Sequence, residues 1–244
     1  MPKTSSVPKE PIPLNKRIIF ALDLDSAQAA KDWVHKLKDR IQFFKVGLEL
    51  FLAGGWDLVH WIMDQGPEVM LDLKFFDVPQ TVYKAMQQVQ SHQVALTTIH
   101  GNDAMLQAAV QAKGRTKILA VTALTSLDAA DLRALGFSCS PQDLVISRAR
   151  RALELGCAGV VSSGLEVPVL REYLPGKLLT VVPGVRPVDN IPDDQKRTVD
   201  VRQAFANGAD HVVIGRPIRQ AKDPLQVVDH MQTDIQETLQ SSSS

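Results

Sequence analysis

Eight short apolar runs, each followed by a stretch of helical character, constrain this chain more than any other feature. The first three are Ile18-Ile19-Phe20-Ala21-Leu22-Asp23-Leu24, Phe43-Phe44-Lys45-Val46-Gly47 and a run opening at Val69. Ala95-Leu96-Thr97-Thr98-Ile99-His100 and Ile118-Leu119-Ala120-Val121-Thr122 follow. Gly159-Val160-Val161, Leu178-Leu179-Thr180-Val181-Val182 and His211-Val212-Val213-Ile214-Gly215 complete the set. Between them the spacing predicts helices, among them one capped by Ser26 and running to about Asp39. Others begin near Leu50, Pro79, Ala104, Pro141, Leu165 and Val199, and the last ends near Leu239. Proline suits the first turn of a helix and glycine its end, as at Pro79, Pro141, Gly66, Gly156 and Gly208. Eight β-then-α units predict an α/β fold, a (β/α)8 TIM barrel in a single domain. An open doubly wound sheet competes, but it usually needs fewer strands, and the first turn lacks G-x-G-x-x-G. The 244 residues, 45% of them apolar, suffice for one sizeable core. Residues 15–240 are assigned to the barrel, residues 1–14 to a flexible N-terminal tail and residues 241–244 to a polar C-terminal tail.

The third run carries the chemistry: Val69-Met70-Leu71-Asp72-Leu73-Lys74-Phe75-Phe76-Asp77-Val78-Pro79. Side chains in a strand alternate between faces, so Met70, Asp72 and Lys74 share one face and Leu71, Leu73 and Phe75 the other. If the apolar face packs on helices, the charged face looks into the barrel. Burying charges at a strand end costs several kcal/mol each, so such a pair is rarely placed there for stability alone. A purely structural ion pair is the plainer reading. In a barrel the site lies at the carboxyl ends of the strands, where Asp23, Lys45, Asp72, Lys74 and His100 fall. Strands one to three are neighbours, so Asp23, Lys45, Asp72 and Lys74 are expected to cluster with alternating sign. Such a network can fix an ammonium that stabilises a carbanion and then protonates it.

The second half points to an anion. Arg186 follows the seventh strand and Gly215-Arg216 the eighth, the usual phosphate site of this barrel. Glycine lets backbone N–H groups approach an anion, and arginine offers a planar fork for its oxygens. The polar segment 184–197 between the seventh strand and the next helix is long for a compact domain, which is usually functional.

Asp72-x-Lys74-x-x-Asp77 resembles the signature of the orotidine 5′-phosphate decarboxylase superfamily. The likeness extends through Ala21-Leu22-Asp23, Lys45-Val46-Gly47, Val121 to Ser126, Pro183-Gly184-Val185-Arg186-Pro187, Gln195 and Ile214-Gly215-Arg216-Pro217-Ile218. The hexad alone is shared by sugar-phosphate decarboxylases and aldolases. Lys45, the Leu124-Thr125-Ser126 run, Gln195 and Arg216 narrow the resemblance to the orotidylate enzyme. It implies conversion of orotidine 5′-phosphate to UMP and CO2, the last step of de novo pyrimidine nucleotide synthesis, without a cofactor or metal. Lys74 would be the proton donor and Asp72 would lie against the departing carboxylate. Asp77 and Thr81 would reach into a partner's site, which implies a homodimer with shared sites. Asp23 and Lys45 would hold ribose hydroxyls, Thr125 the pyrimidine, and Gln195 both base and phosphate. Pro183, Arg186, Gly215 and Arg216 complete the implied substrate-binding set. Val182 and Val185 depart from the Thr and Ile that the family often has there.

Three other readings compete. A metal-dependent sugar-phosphate decarboxylase of the same superfamily typically has a carboxylate at the second strand end, where this chain has Lys45, and a cation beside Mg2+ is unfavourable. A metal-using epimerase would need more than the lone strand-end His100. A non-catalytic nucleotide sensor would need the arginines but neither Lys74 nor the aspartates. The remaining histidines, the three tryptophans, Cys139 and Cys157 read as surface, packing or ordinary thiol residues. A formal net charge of zero offers no electrostatic case for nucleic acid or an anionic membrane. No apolar run reaches the length of a membrane span, and two cysteines make no disulfide framework, which fits a cytoplasmic setting.

Overall fold

In the computed structural model, described for residues 11–124, 128–174, 176, 178–186 and 199–241, eight parallel strands close into a barrel in chain order. They are β1 (Ile18–Ala21), β2 (Phe43–Gly47), β3 (Glu68–Phe75), β4 (Leu96–His100), β5 (Lys117–Val121), β6 (Gly159–Val161), β7 (Leu179–Pro183) and β8 (His211–Ile214). Closure runs through Ile19↔Val213 between β1 and β8. The helices described are α1 (Leu14–Arg17), α2 (Ala27–Leu37), α3 (Leu48–Asp64), α4 (Pro79–Ser91), α5 (Asp103–Ala112) and α6 (Ala129–Ala134). After them come α7 (Pro141–Glu154), α8 (Val167–Tyr173), α9 (Val201–Ala206), α10 (Arg216–Arg219) and α11 (Pro224–Ser241).

Strand alternation produces two apolar layers. Ile19, Phe43, Met70, Leu96, Leu119, Val181 and Val213 fill the barrel interior. Ile18, Phe20, Phe44, Leu71, Val160 and Val182 face outward and pack under the helices. Ser26 caps α2 by accepting from the Ala29 N–H, as its position in the sequence predicts. Gly159 is needed for strand spacing: a Cβ there would lie 2.4 Å from the Leu179 carbonyl oxygen.

At the base of the barrel, Arg171 on α8 donates to the carbonyls of Leu178 and Gly208, to the Thr180 hydroxyl and to the Asp210 carboxylate. The guanidinium thus ties α8 to the start of β7 and β8, away from the strand ends that carry the charged residues.

Three short helices differ from the sequence reading. Leu14 begins α1, which supports the barrel base through the Asn15 carbonyl accepting from the Gln42 N–H. The segment expected to be irregular after β5 contains α6, held by a reciprocal capping box between Asp128 and Asp131. One turn after β8 forms α10. A helix of one or two turns is too short to display a period in sequence. Ser241, assigned to the polar tail, is the final residue of α11. Residues 1–10 and 242–244 of the expected tails lie outside the described residues.

Candidate active site

β3 does not end as a regular strand. Leu71 pairs with Thr97 and Phe75 with Ile99, so four steps along β3 are matched by two along β4. The slack is taken up in a bulge where Lys74 adopts a left-handed backbone, φ 48°. The side chains of Asp72 and Lys74 both line the mouth of the barrel, as alternation predicts. The route differs, because Lys74 reaches the cleft from a bulge and not from a continuous pleat.

The four charged groups come together. The Lys74 ammonium lies 2.9 Å from each oxygen of Asp72. The Lys45 ammonium lies 2.8 Å from Asp23 Oδ1 and 3.7 Å from Asp72 Oδ2. Charges therefore alternate along Asp23, Lys45, Asp72 and Lys74. Asp72 and Lys45 are deeply placed, each with 11% of the side chain exposed, whereas Lys74 is 37% exposed and faces the cleft. Opposite charges at about 4 Å attract by roughly 4 kcal/mol at an effective dielectric of 20, which offsets desolvation. Burial pushes the Asp72 carboxyl up, but the ammoniums of Lys45 and Lys74 and hydrogen bonds from Lys74 and Thr98 outweigh it and hold the pKa below the ordinary carboxylate range.

Thr98 is a residue the sequence reading missed. Its hydroxyl donates to Asp72 Oδ1 at 2.9 Å and accepts from the Lys74 N–H at 3.0 Å. The available signal was its position: Thr98 shares the inward face of β4 with Leu96 and His100, a polar side chain in the middle of an inward-facing strand. His100 itself is half-buried and packs edge-to-face with Phe76 at 5.0 Å. Burial, then the nearby charges of Arg148 and Lys74, lower its pKa below the ordinary imidazole value.

At the ends of β7 and β8, Pro183, Arg186, Gly215 and Arg216 line the same cleft as Asp23, Lys45, Asp72 and Lys74. Gly215 packs tightly there, since a Cβ would meet that of Ala21 at 3.2 Å and Asp23 Oδ2 at 3.6 Å. Ala123, Val161 and Val213 supply an apolar wall between the cationic and charged-network sides. Such a cleft offers one end for an anion, a fixed ammonium near its floor and an apolar flank for a flat ring.

Asp77 and Thr81 are not part of this cleft. Both are exposed on the turn and first helical residues after β3, and Asp77 accepts from the Val78 N–H. Thr125, Gln195 and most of the expected long segment lie outside the described residues.

Residues 16–231 match the family model described as Orotidine 5'-phosphate decarboxylase / HUMPS family. The chain is 54% identical over 230 residues to the orotidine 5'-phosphate decarboxylase of Methylococcus capsulatus, covering 93% of this chain and 95% of that protein. It is 43% identical over 211 residues to that of Nitrobacter winogradskyi, covering 86% and 88%. Among solved structures, the orotidine 5'-phosphate decarboxylase of Lactobacillus acidophilus superposes with a TM-score of 0.80 at 32% identity, covering 90% of this chain and 99% of that one.

Proposed function

The chain belongs to the orotidine 5'-phosphate decarboxylase family, and on that premise we propose how its barrel mouth turns orotidine 5′-phosphate into UMP and CO2. The reaction completes pyrimidine nucleotide synthesis and needs no cofactor in this family. The observation that carries the residue-level reading is the bidentate hold of Asp72 on the Lys74 ammonium at the floor of a cleft lined by two arginines.

The 5′-phosphate binds between Arg186 and Arg216, with Gly215 letting the backbone approach. Pro183 lines the same side. Asp23 and Lys45 hold the ribose hydroxyls, so the base is directed toward Lys74. Thr125 and Gln195 are assigned to the base, and Gln195 also to the phosphate, from the family resemblance alone. When the bond between C6 and the carboxylate breaks, its electron pair stays on C6 and CO2 leaves. The Lys74 ammonium stabilises that carbanion and delivers its proton to C6, and neutral Lys74 regains a proton from solvent. Asp72 keeps the ammonium aimed and lies against the departing carboxylate. Preorganised charge of this kind needs no rearrangement at the moment of reaction. Phosphate binding, remote from the breaking bond, holds the substrate in register.

The same reading places the enzyme in the cytoplasm as a homodimer in which Asp77 and Thr81 serve the partner's cleft. Support comes from their exposure and from the exposed apolar residues around them. Leu48 and Leu52 on α3, with Phe76 and Val78 at the β3–α4 turn, are each more than half exposed on adjacent barrel units. A second copy would cover them.

The test is direct. Purified protein should deplete the absorbance of orotidine 5′-phosphate and release CO2 at a rate unchanged by EDTA. Loss of turnover in EDTA, restored by Mg2+, would point to the metal-dependent sugar-phosphate branch of the superfamily.

A further inference from the structure

We propose that Thr98 is a positioning residue for the decarboxylation, its single hydroxyl setting the Asp72 carboxylate and the Lys74 backbone in register with each other. This rests on the reading of Lys74 as proton donor, and it adds a residue of β4 to a network otherwise drawn from β1 to β3.

The bulge on β3 creates the need. Where Leu71 to Phe75 run past Thr97 to Ile99, the regular parallel ladder is interrupted. Lys74 sits there with φ 48°, a backbone region that L side chains rarely adopt. Its N–H is met by the Thr98 oxygen at 3.0 Å. A threonine hydroxyl has one proton to give and lone pairs to accept with. Here the proton goes to Asp72 Oδ1 at 2.9 Å, while the oxygen accepts from Lys74. One atom therefore fixes both ends of the Asp72–Lys74 pair: the carboxylate through its oxygen, and the lysine through its own backbone. Thr98 is wholly buried, so water cannot readily take over either bond. Its neighbour Thr97 faces the other way and bonds the Leu71 carbonyl, which leaves that residue a role in the barrel wall only.

The consequence falls on turnover and not on binding. Arg186, Arg216 and Asp23 line other parts of the cleft and carry the remote parts of the substrate. Loss of the hydroxyl would let the ammonium drift from the reacting carbon while the phosphate and ribose stay bound. Geometric error at the reacting centre lowers the rate steeply.

Thr98→Val keeps shape and branching and removes the hydroxyl; Thr98→Ser keeps the hydroxyl and removes the methyl. Steady-state kinetics with orotidine 5′-phosphate, UMP affinity and melting temperature are measured for both beside the wild type. The expected result is kcat down about tenfold or more in Thr98→Val, with KM and UMP affinity within about twofold, and recovery of most of kcat in Thr98→Ser. Equal kcat in Thr98→Val and wild type would overturn the proposal. So would a Thr98→Ser variant as slow as Thr98→Val, because a hydroxyl kept at that position would then not sustain turnover. Should Thr98→Val fail to fold, Thr98→Ala against Thr98→Ser gives the same comparison with the same two outcomes. Wild-type turnover is the control for the underlying function: its absence would sink the decarboxylase reading itself, whereas its presence with an unaffected Thr98→Val sinks only the role of Thr98.

Discussion

Asp72 is the counter-ion that Lys45 and Lys74 share, and the site's charge balance turns on it. Its folded pKa is depressed below the unfolded value, so it contributes stability at neutral pH that persists above the ordinary carboxyl range. That contribution is lost as pH falls through the depressed folded pKa, because the unfolded chain binds the proton first. Asp72→Asn leaves the Lys74 ammonium without its carboxylate and Lys45 with Asp23 alone, and should cost about 3 kcal/mol at pH 7. Urea midpoints followed from pH 7 downward should show the gap between wild type and Asp72→Asn closing in acid; a gap that stays constant would mean Asp72 is not held as a carboxylate. The charged residues were legible because strand alternation and barrel geometry leave few places for an Asp and a Lys two residues apart. Thr98 was not. Its role depends on a bulge in the neighbouring strand, and nothing in Val69 to Phe75 announces that the chain turns left-handed at Lys74.

At the scale of elements, two strand contacts shape the site and the barrel. The slipped register between β3 and β4 aims Lys74, and the close approach of β6 to β7 keeps the wall tight. Gly159→Ala would drive a Cβ to within 2.4 Å of the Leu179 carbonyl oxygen and 2.6 Å of its Cβ, neither of which is a flexible side-chain end. A loss of about 3 kcal/mol is expected, read as a lower denaturant midpoint at unchanged slope. An unshifted midpoint would show that the strands can separate there at little cost. The long elements were readable from apolar spacing, while α1, α6 and α10 were not, because their ends are set by local caps and by docking on the barrel. The β1 run also stops earlier than its apolar sequence suggests: Asp23 sits just beyond the last ladder residue, which frees its carboxylate to meet Lys45.

At the scale of the molecule, closing eight strands brings the ends of β7 and β8 beside those of β1 to β3, so a charge network and two arginines share one cleft. Counting β-then-α units made that arrangement legible, since the barrel fixes which strand ends meet. The proposed partner surface was expected only through family resemblance, because exposure of Leu52 or Phe76 is a property of the folded chain. Sedimentation should give a dimer, and mixing inactive Asp77→Ala with inactive Lys74→Ala should restore part of the activity through hybrid clefts. A monomeric, fully active chain would refute the shared-site arrangement. The proton donor is tested most directly by Lys74→Ala, with UMP affinity and orotidine 5′-phosphate decarboxylation measured on the same preparation. Retained nucleotide binding with turnover reduced by several orders of magnitude is the expected result; decarboxylation at the wild-type rate would contradict it.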